Sequence, residues 1–182
     1  MKKMFILAAM TIVLAACEGT VGDASLIEGG WELKTIDYDK TISYDQMGSS
    51  HMKDEPFTHT YEEKKMVWLF YKGYIGWFAE YTDSDGNVDW SGYAGDATKT
   101  YVVEGEGANM TIVETTRSMI PGENGSFSIV RYHVEKLTKR EMVLFLITPM
   151  YISDLGTTVD VQQTYTFKRE NTLLEYVKQE WR

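Results

Sequence analysis

Three histidines, one cysteine and 27 acidic residues are the side chains here with most chemistry in them, and their spacing suits no catalytic constellation. His51, His59 and His133 are far apart, and no two sit at a helix or strand spacing that would aim both at one metal. No serine stands in an elbow motif, and Cys17 is the single cysteine. The carboxylates are scattered, and an acid–base pair would need a cleft to bring two of them together. Asp83-Ser84-Asp85-Gly86-Asn87-Val88-Asp89 invites comparison with a calcium loop. That loop needs glycine at its sixth position, where Val88 stands. Asp85-Gly86 suits a hairpin turn instead. The aromatic residues remain. Trp77, Tyr81, Tyr132 and Tyr71 fall on inward strand positions, where they either fill a small barrel solidly or line a pocket. Indole and phenol each offer an apolar body with one hydrogen bond. The expectation is a non-enzymatic protein without cofactor or metal.

The elements that would position these aromatics are strands. Leu26–Tyr38 opens through Gly29-Gly30 into Trp31, and Trp31 and Leu33 share one face by the two-residue period. Ile36 and Tyr38 fall on the opposite parity, which predicts a bulge within the strand. Residues 39–65 lack periodicity and are expected to form a long loop with at most one helical turn, either covering a site or standing apart from the fold. Strands follow at Met66–Tyr71, Tyr74–Thr82, Tyr101–Glu104, Met110–Thr116, Phe127–Lys136, Glu141–Thr148 and Val161–Arg169, with Lys72-Gly73 as a hairpin turn. In the first hairpin Val67, Leu69 and Tyr71 are expected inside with Trp77. Trp68, Phe70, Tyr74 and Phe78 are expected outside, as an aromatic exterior suited to a protein or a glycan. Asn171 caps a terminal helix whose Leu173, Leu174, Val177 and Trp181 share one face, to be buried on the sheet near Trp68 and Phe70. The fold class is therefore all-β: an eight-stranded antiparallel up-and-down barrel with a C-terminal α-helix.

The first 16 residues have the order of a signal peptide, with Lys2 and Lys3 ahead of an apolar run too short to span a bilayer. Leu14-Ala15-Ala16-Cys17 resembles the bacterial lipobox, which implies cleavage before Cys17 and lipidation of its sulfur. More than one acyl chain at ~0.8 kcal/mol per buried CH₂ would anchor the protein firmly. Residues 17–25 then form a tether and 26–182 the domain. The expected location is the outer membrane, facing periplasm or cell surface. Loss of Lys2 and Lys3 moves the formal charge from −9 to −11, which excludes nucleic acid as a partner.

Gly29-x-Trp31 at the start of the first strand is similar to the lipocalin entry motif. The segments YHVEKLTKREMVLFL and TYTFKRE resemble the closing strands of small lipocalin-like lipoproteins of Bacteroidota. The resemblance covers about residues 26–170 and implies a calycin-type barrel that binds a small apolar or amphipathic ligand. It also implies that Arg169, at the end of the last strand, stacks on Trp31. The helix lies after the last strand rather than before it, and the Thr-Asp-Tyr motif of the family is absent. The alternative is an interaction module for protein or glycan, built on the exterior aromatics.

Overall fold

The computed structural model describes residues 21–62, 65–92, 97–118 and 127–180. Cys17, the segment before it and Trp181 lie outside the described residues. The chain is all-β with one helix. Its strands are β1 (Gly29–Tyr38), β2 (Thr41–Tyr44), β3 (Ser50–Lys53), β4 (Phe57–Thr60), β5 (Met66–Tyr71), β6 (Tyr74–Thr82), β7 (Val88–Gly92), β8 (Ala97–Glu104), β9 (Thr111–Ser118), β10 (Phe127–Leu137), β11 (Glu141–Ile152) and β12 (Thr157–Glu170), followed by α1 (Thr172–Glu180). The order β12-β11-β10-β9-β8-β6-β5-β1 closes through β12–β1 into an eight-stranded antiparallel barrel. Closure removes the two bare edges that an open meander would leave. The last strand meets the first with Trp31 opposite Arg169 and Leu33 opposite Phe167, and the register slips between Leu33 and Thr35, within the stretch where the sequence changes phase.

The parity of β5 corrects the sequence expectation. Trp68 and Phe70 point into the barrel core with Trp31 and Ile75, whereas Val67 and Leu69 lie outside under α1. Tyr71 and Phe78 pack in that outer cluster too. The cause is the Lys72-Gly73 turn, which places both residues at positive φ and pairs Tyr71 with Tyr74. That register sets Trp68 against Trp77, and cross-strand partners share a face. The exterior patch of Trp68, Phe70 and Phe78 therefore does not exist.

Residues 39–65 are also more ordered than expected. β2 and β3 form a hairpin whose turn is held by the Asp45 carboxylate, which accepts from the Met47 and Ser49 N–H groups. β4 then pairs with the upper half of β1, continuing the wall that β5 forms lower down. β4 and β5 thus share the work of one strand. Each of these three short strands has only four residues, too few for a period to show.

Helix α1 covers the outside of β5 through Leu173 and Val177. Its first turn is capped by Glu170 rather than Asn171: the Glu170 carboxylate accepts from the Thr172 and Leu173 N–H groups at 3.0 and 2.9 Å. A carboxylate there also complements the positive end of the helix dipole.

The barrel ends differ. At one end β10–β11 and β5–β6 pair fully to their turns. β6 meets β8 only at Tyr74 and Thr100, next to the Lys72-Gly73 turn, and further up its Phe78–Thr82 stretch pairs with β7 instead; the β10–β11 ladder stops at His133 and Phe145. Among the described residues, β10 above His133 pairs only with β9, and β11 above Phe145 only with β12. Towards the mouth the wall is thus carried by β7 beside β6 and parts between β10 and β11.

Candidate functional site

The sealed end is built around Trp31, which is fully buried and donates its indole N–H to the Ile27 carbonyl at 2.7 Å. Arg169 lies 4.6 Å over the indole ring and donates to the carbonyls of Leu26 and Glu28 at 2.9 and 2.7 Å. Partial burial lowers the tendency of the guanidinium to stay charged, and the ring face and two carbonyls compensate. Gly29 makes this approach possible. Its φ is +130°, and a Cβ there would stand 2.5 Å from the Arg169 Nη2. The end is closed to any ligand.

Above it the lumen contains a cavity of about 360 Å³ lined by Leu33, Ile36, Tyr61, Met66, Trp68, Trp77, Tyr132 and Tyr165. The size falls in the range of small-molecule sites, about 300–1,000 Å³. Trp68 is the centre of the aromatic wall. Trp77 stacks on it at 5.2 Å, and Tyr132, Tyr165 and Phe167 surround it at 5.6, 5.6 and 5.0 Å. Such offset and edge contacts fix the rings in place.

The polar groups beside this wall neutralise one another. Glu114, only 1% exposed, pairs with Lys99 at 2.7 Å and accepts from the hydroxyls of Thr116 and Tyr132 at 3.1 and 3.3 Å. Lys99 also lies 3.9 Å over the Trp77 ring. A buried carboxylate requires such partners. Tyr165 donates to Gln163 at 2.6 Å, and Gln163 donates to Thr148 at 3.1 Å. Burial first, then the Glu114 charge, pushes the Tyr132 hydroxyl far above its ordinary 10.0. Burial and the nearby Tyr38 and Tyr61 do the same to Tyr165. Both phenols stay protonated and act as donors. The Trp77 Nε1 is the one buried side-chain nitrogen or oxygen without a partner among the described residues.

The cavity meets a second, more open one of about 330 Å³ at the mouth, lined by Tyr38, Lys40, Ile42, Phe57, His59, Tyr61 and Met150. Tyr61 belongs to both walls. β1, β4 and the residue after β4 carry a ladder of rings along this vestibule, running Tyr38–Phe57–His59–Tyr61 at centroid separations of 6.2, 6.4 and 4.5 Å.

Of the aromatics singled out from sequence, Trp77 and Tyr132 line the lumen cavity. Tyr81 does not: it is 44% exposed and donates to Asp89 at 2.8 Å, beyond the cavity. Tyr71 packs outside the barrel, for the reason of register given above. Sequence reasoning missed Trp68, Tyr61, Tyr165, Glu114, Lys99 and Gln163. Glu114 had a usable signal, since it shares strand parity with buried Ile112. The histidines are dispersed: His51 contacts Asp154 beside the β2–β3 hairpin, His59 stands in the ring ladder, and His133 is exposed. Among the described residues no three His, Cys, Asp or Glu side chains are grouped to hold a metal. The Asp83 carboxylate accepts from the Asp85 and Asn87 N–H groups and so serves its own turn. No family model, curated protein or solved structure matches this chain.

Proposed function

We propose that this protein is a lipocalin-like binding protein of the bacterial cell envelope, held at the outer membrane through Cys17, whose lumen takes a small hydrophobic or amphipathic molecule. The observation that carries this reading is the aromatic cavity of about 360 Å³ inside a closed barrel. An eight-stranded barrel can be packed solid, and side chains alone would then fill the space. The polar groups favour binding over catalysis. Glu114 is engaged by three partners and the two phenols are held as donors, so among the described residues lining this cavity no free base or nucleophile stands ready.

Titration of the purified protein with the fluorescent probe N-phenyl-1-naphthylamine tests the reading. Saturable one-to-one binding is expected, with weaker binding in Ile36→Phe, which intrudes on the cavity at little cost to folding. A linear, non-saturating response would overturn it. Native mass spectrometry of protein from its own host should then show a retained small molecule. For the anchor, Cys17→Ala should move the protein from the membrane to the soluble fraction. Unchanged membrane partitioning would remove the lipidation proposal.

A further inference from the structure

We propose that lumen and vestibule form one bipartite site for a neutral glycoside-type amphiphile, with its apolar chain in the lumen and an uncharged, hydroxyl-rich ring in the vestibule. The inference rests on the reading of the lumen as a ligand chamber. Three observations lead to it.

The first is continuity. The two cavities, of about 360 and 330 Å³, are both lined by Tyr61, which follows β4 directly and whose N–H bonds the Lys34 carbonyl at 2.9 Å. A molecule longer than the lumen would emerge across Tyr61 into the vestibule.

The second is the chemistry of the vestibule wall. Phe57 is 48% exposed and stands within 6.2 Å of Tyr38, tilted by only 29°. A flat ring face on open display suits the apolar C–H face of a sugar, and the rim of a sugar wants hydrogen-bonding groups around it. Tyr38, Tyr61, His59 and Lys40 supply them.

The third is charge. Lys40 is ion-paired with Asp39 and lies in the field of Asp54 and Asp160. Acidic groups therefore surround Lys40, the one lysine in the described lining of the vestibule. Inside, Lys99 is spent on Glu114. Among the described lining residues neither chamber offers an unpaired lysine or arginine for a carboxylate or phosphate head, and burying such a head unpaired is costly. An uncharged head avoids that cost and the repulsion of the rim.

The test is calorimetric titration of the purified protein with four probes: n-octyl β-D-glucoside below its micelle-forming concentration, 1-octanol, sodium octanoate and methyl β-D-glucoside. Octyl glucoside should bind about tenfold more tightly than octanol, the equivalent of ~1.4 kcal/mol. Octanoate and methyl glucoside should bind more weakly still. Phe57→Ala, at a half-exposed position where folding is not at stake, should reduce octyl glucoside to the affinity of octanol while leaving octanol unchanged. Octanoate binding as tightly as the glucoside would overturn the inference, as would a glucoside preference that survives Phe57→Ala. Octanol that binds with no gain from the sugar defeats this inference alone. Failure of every chain-bearing probe defeats the lumen reading with it.

Discussion

At the sealed end a tryptophan with no exposed surface, an arginine over its ring and a glycine that a Cβ would force apart leave no space. Towards the mouth β6 leaves β8 for β7, the β10–β11 ladder stops short, and the stacked rings line cavities. The sealed end belongs to the eight strands, whereas the mouth borrows β2 and β4. The comparison shows that strand number does not decide whether such a barrel is full or hollow. What decides it is how far each ladder is carried and whether a specific side-chain stack closes the end.

The sharpest way to break this contrast is at Trp31. Trp31→Ala should cost about 3–5 kcal/mol of unfolding free energy in denaturant titration, as large core truncations do. A comparable truncation at the mouth, Phe57→Ala, should cost far less because that ring is half in solvent. Equal losses would show that the two ends are not energetically distinct. A double-mutant cycle on Trp31→Leu and Arg169→Gln should give a coupling of at least ~0.5 kcal/mol, as expected of groups in contact. Strict additivity would mean that the stack is geometric only.

A smaller effect should separate the ends by acid. Glu170, opposite Gly30 at the sealed end, is 6% exposed. Burial raises its pKa, but the Thr172 and Leu173 N–H bonds and Lys65 outweigh burial, so the folded value lies below the ordinary 4.5. A depressed carboxyl stabilises the fold above its unfolded pKa and loses that contribution as pH falls through the folded value. Wild type should therefore lose more stability than Glu170→Gln on going from pH 6 to pH 3, by about 0.5–2 kcal/mol if the cap alone is involved. Parallel pH profiles for the two proteins would remove Glu170 as the cap.

The smallest effect belongs to the mouth and has the opposite sign. The Asp154 carboxylate, together with Asp45, raises the His51 pKa above its ordinary 6.5. This contact ties the β2–β3 hairpin to the β11–β12 tip. The contribution is fully present below the unfolded pKa and fades as pH rises through the raised value. Amide hydrogen exchange in β2 and β3 should therefore quicken between pH 6 and 8 beyond its intrinsic pH dependence, and His51→Gln should lose that excess. An excess that survives the substitution would place the pH response elsewhere.

These two ends also differ in what could be read from residues alone. The sealed end uses residue types that carry geometry with them: glycines before a strand, a tryptophan, and an arginine in phase with Tyr165 and Phe167. The mouth depends on register. MVWLFY in β5 has no polar residue to mark its outer face, because α1 buries Val67 and Leu69 as thoroughly as the core buries Trp68 and Phe70. Strands buried on both faces lose the alternation that parity reasoning needs. The information lay in the length of the Lys72-Gly73 turn, which fixes Trp68 opposite Trp77. Glu114 was obscured for another reason. A charge in a strand suggests solvent, and only its pairing with Lys99, 15 residues away, makes an inward position tolerable.

If Cys17 is lipidated as proposed, closure of β12 onto β1 would also decide which way the protein faces. β1 begins and β12 ends at the sealed pole, and the preceding chain is tied there by the Val21–Leu137 bridge and the Gly22 N–H bond to the Leu137 carbonyl at 2.8 Å. Three residues separate Cys17 from Val21, a reach of four chain steps or at most ~14 Å. With Cys17 lipidated, the plugged pole would sit against the bilayer and the mouth would point into the aqueous space. Cargo would then be exchanged with a soluble carrier or a second envelope protein, not drawn sideways from the host leaflet.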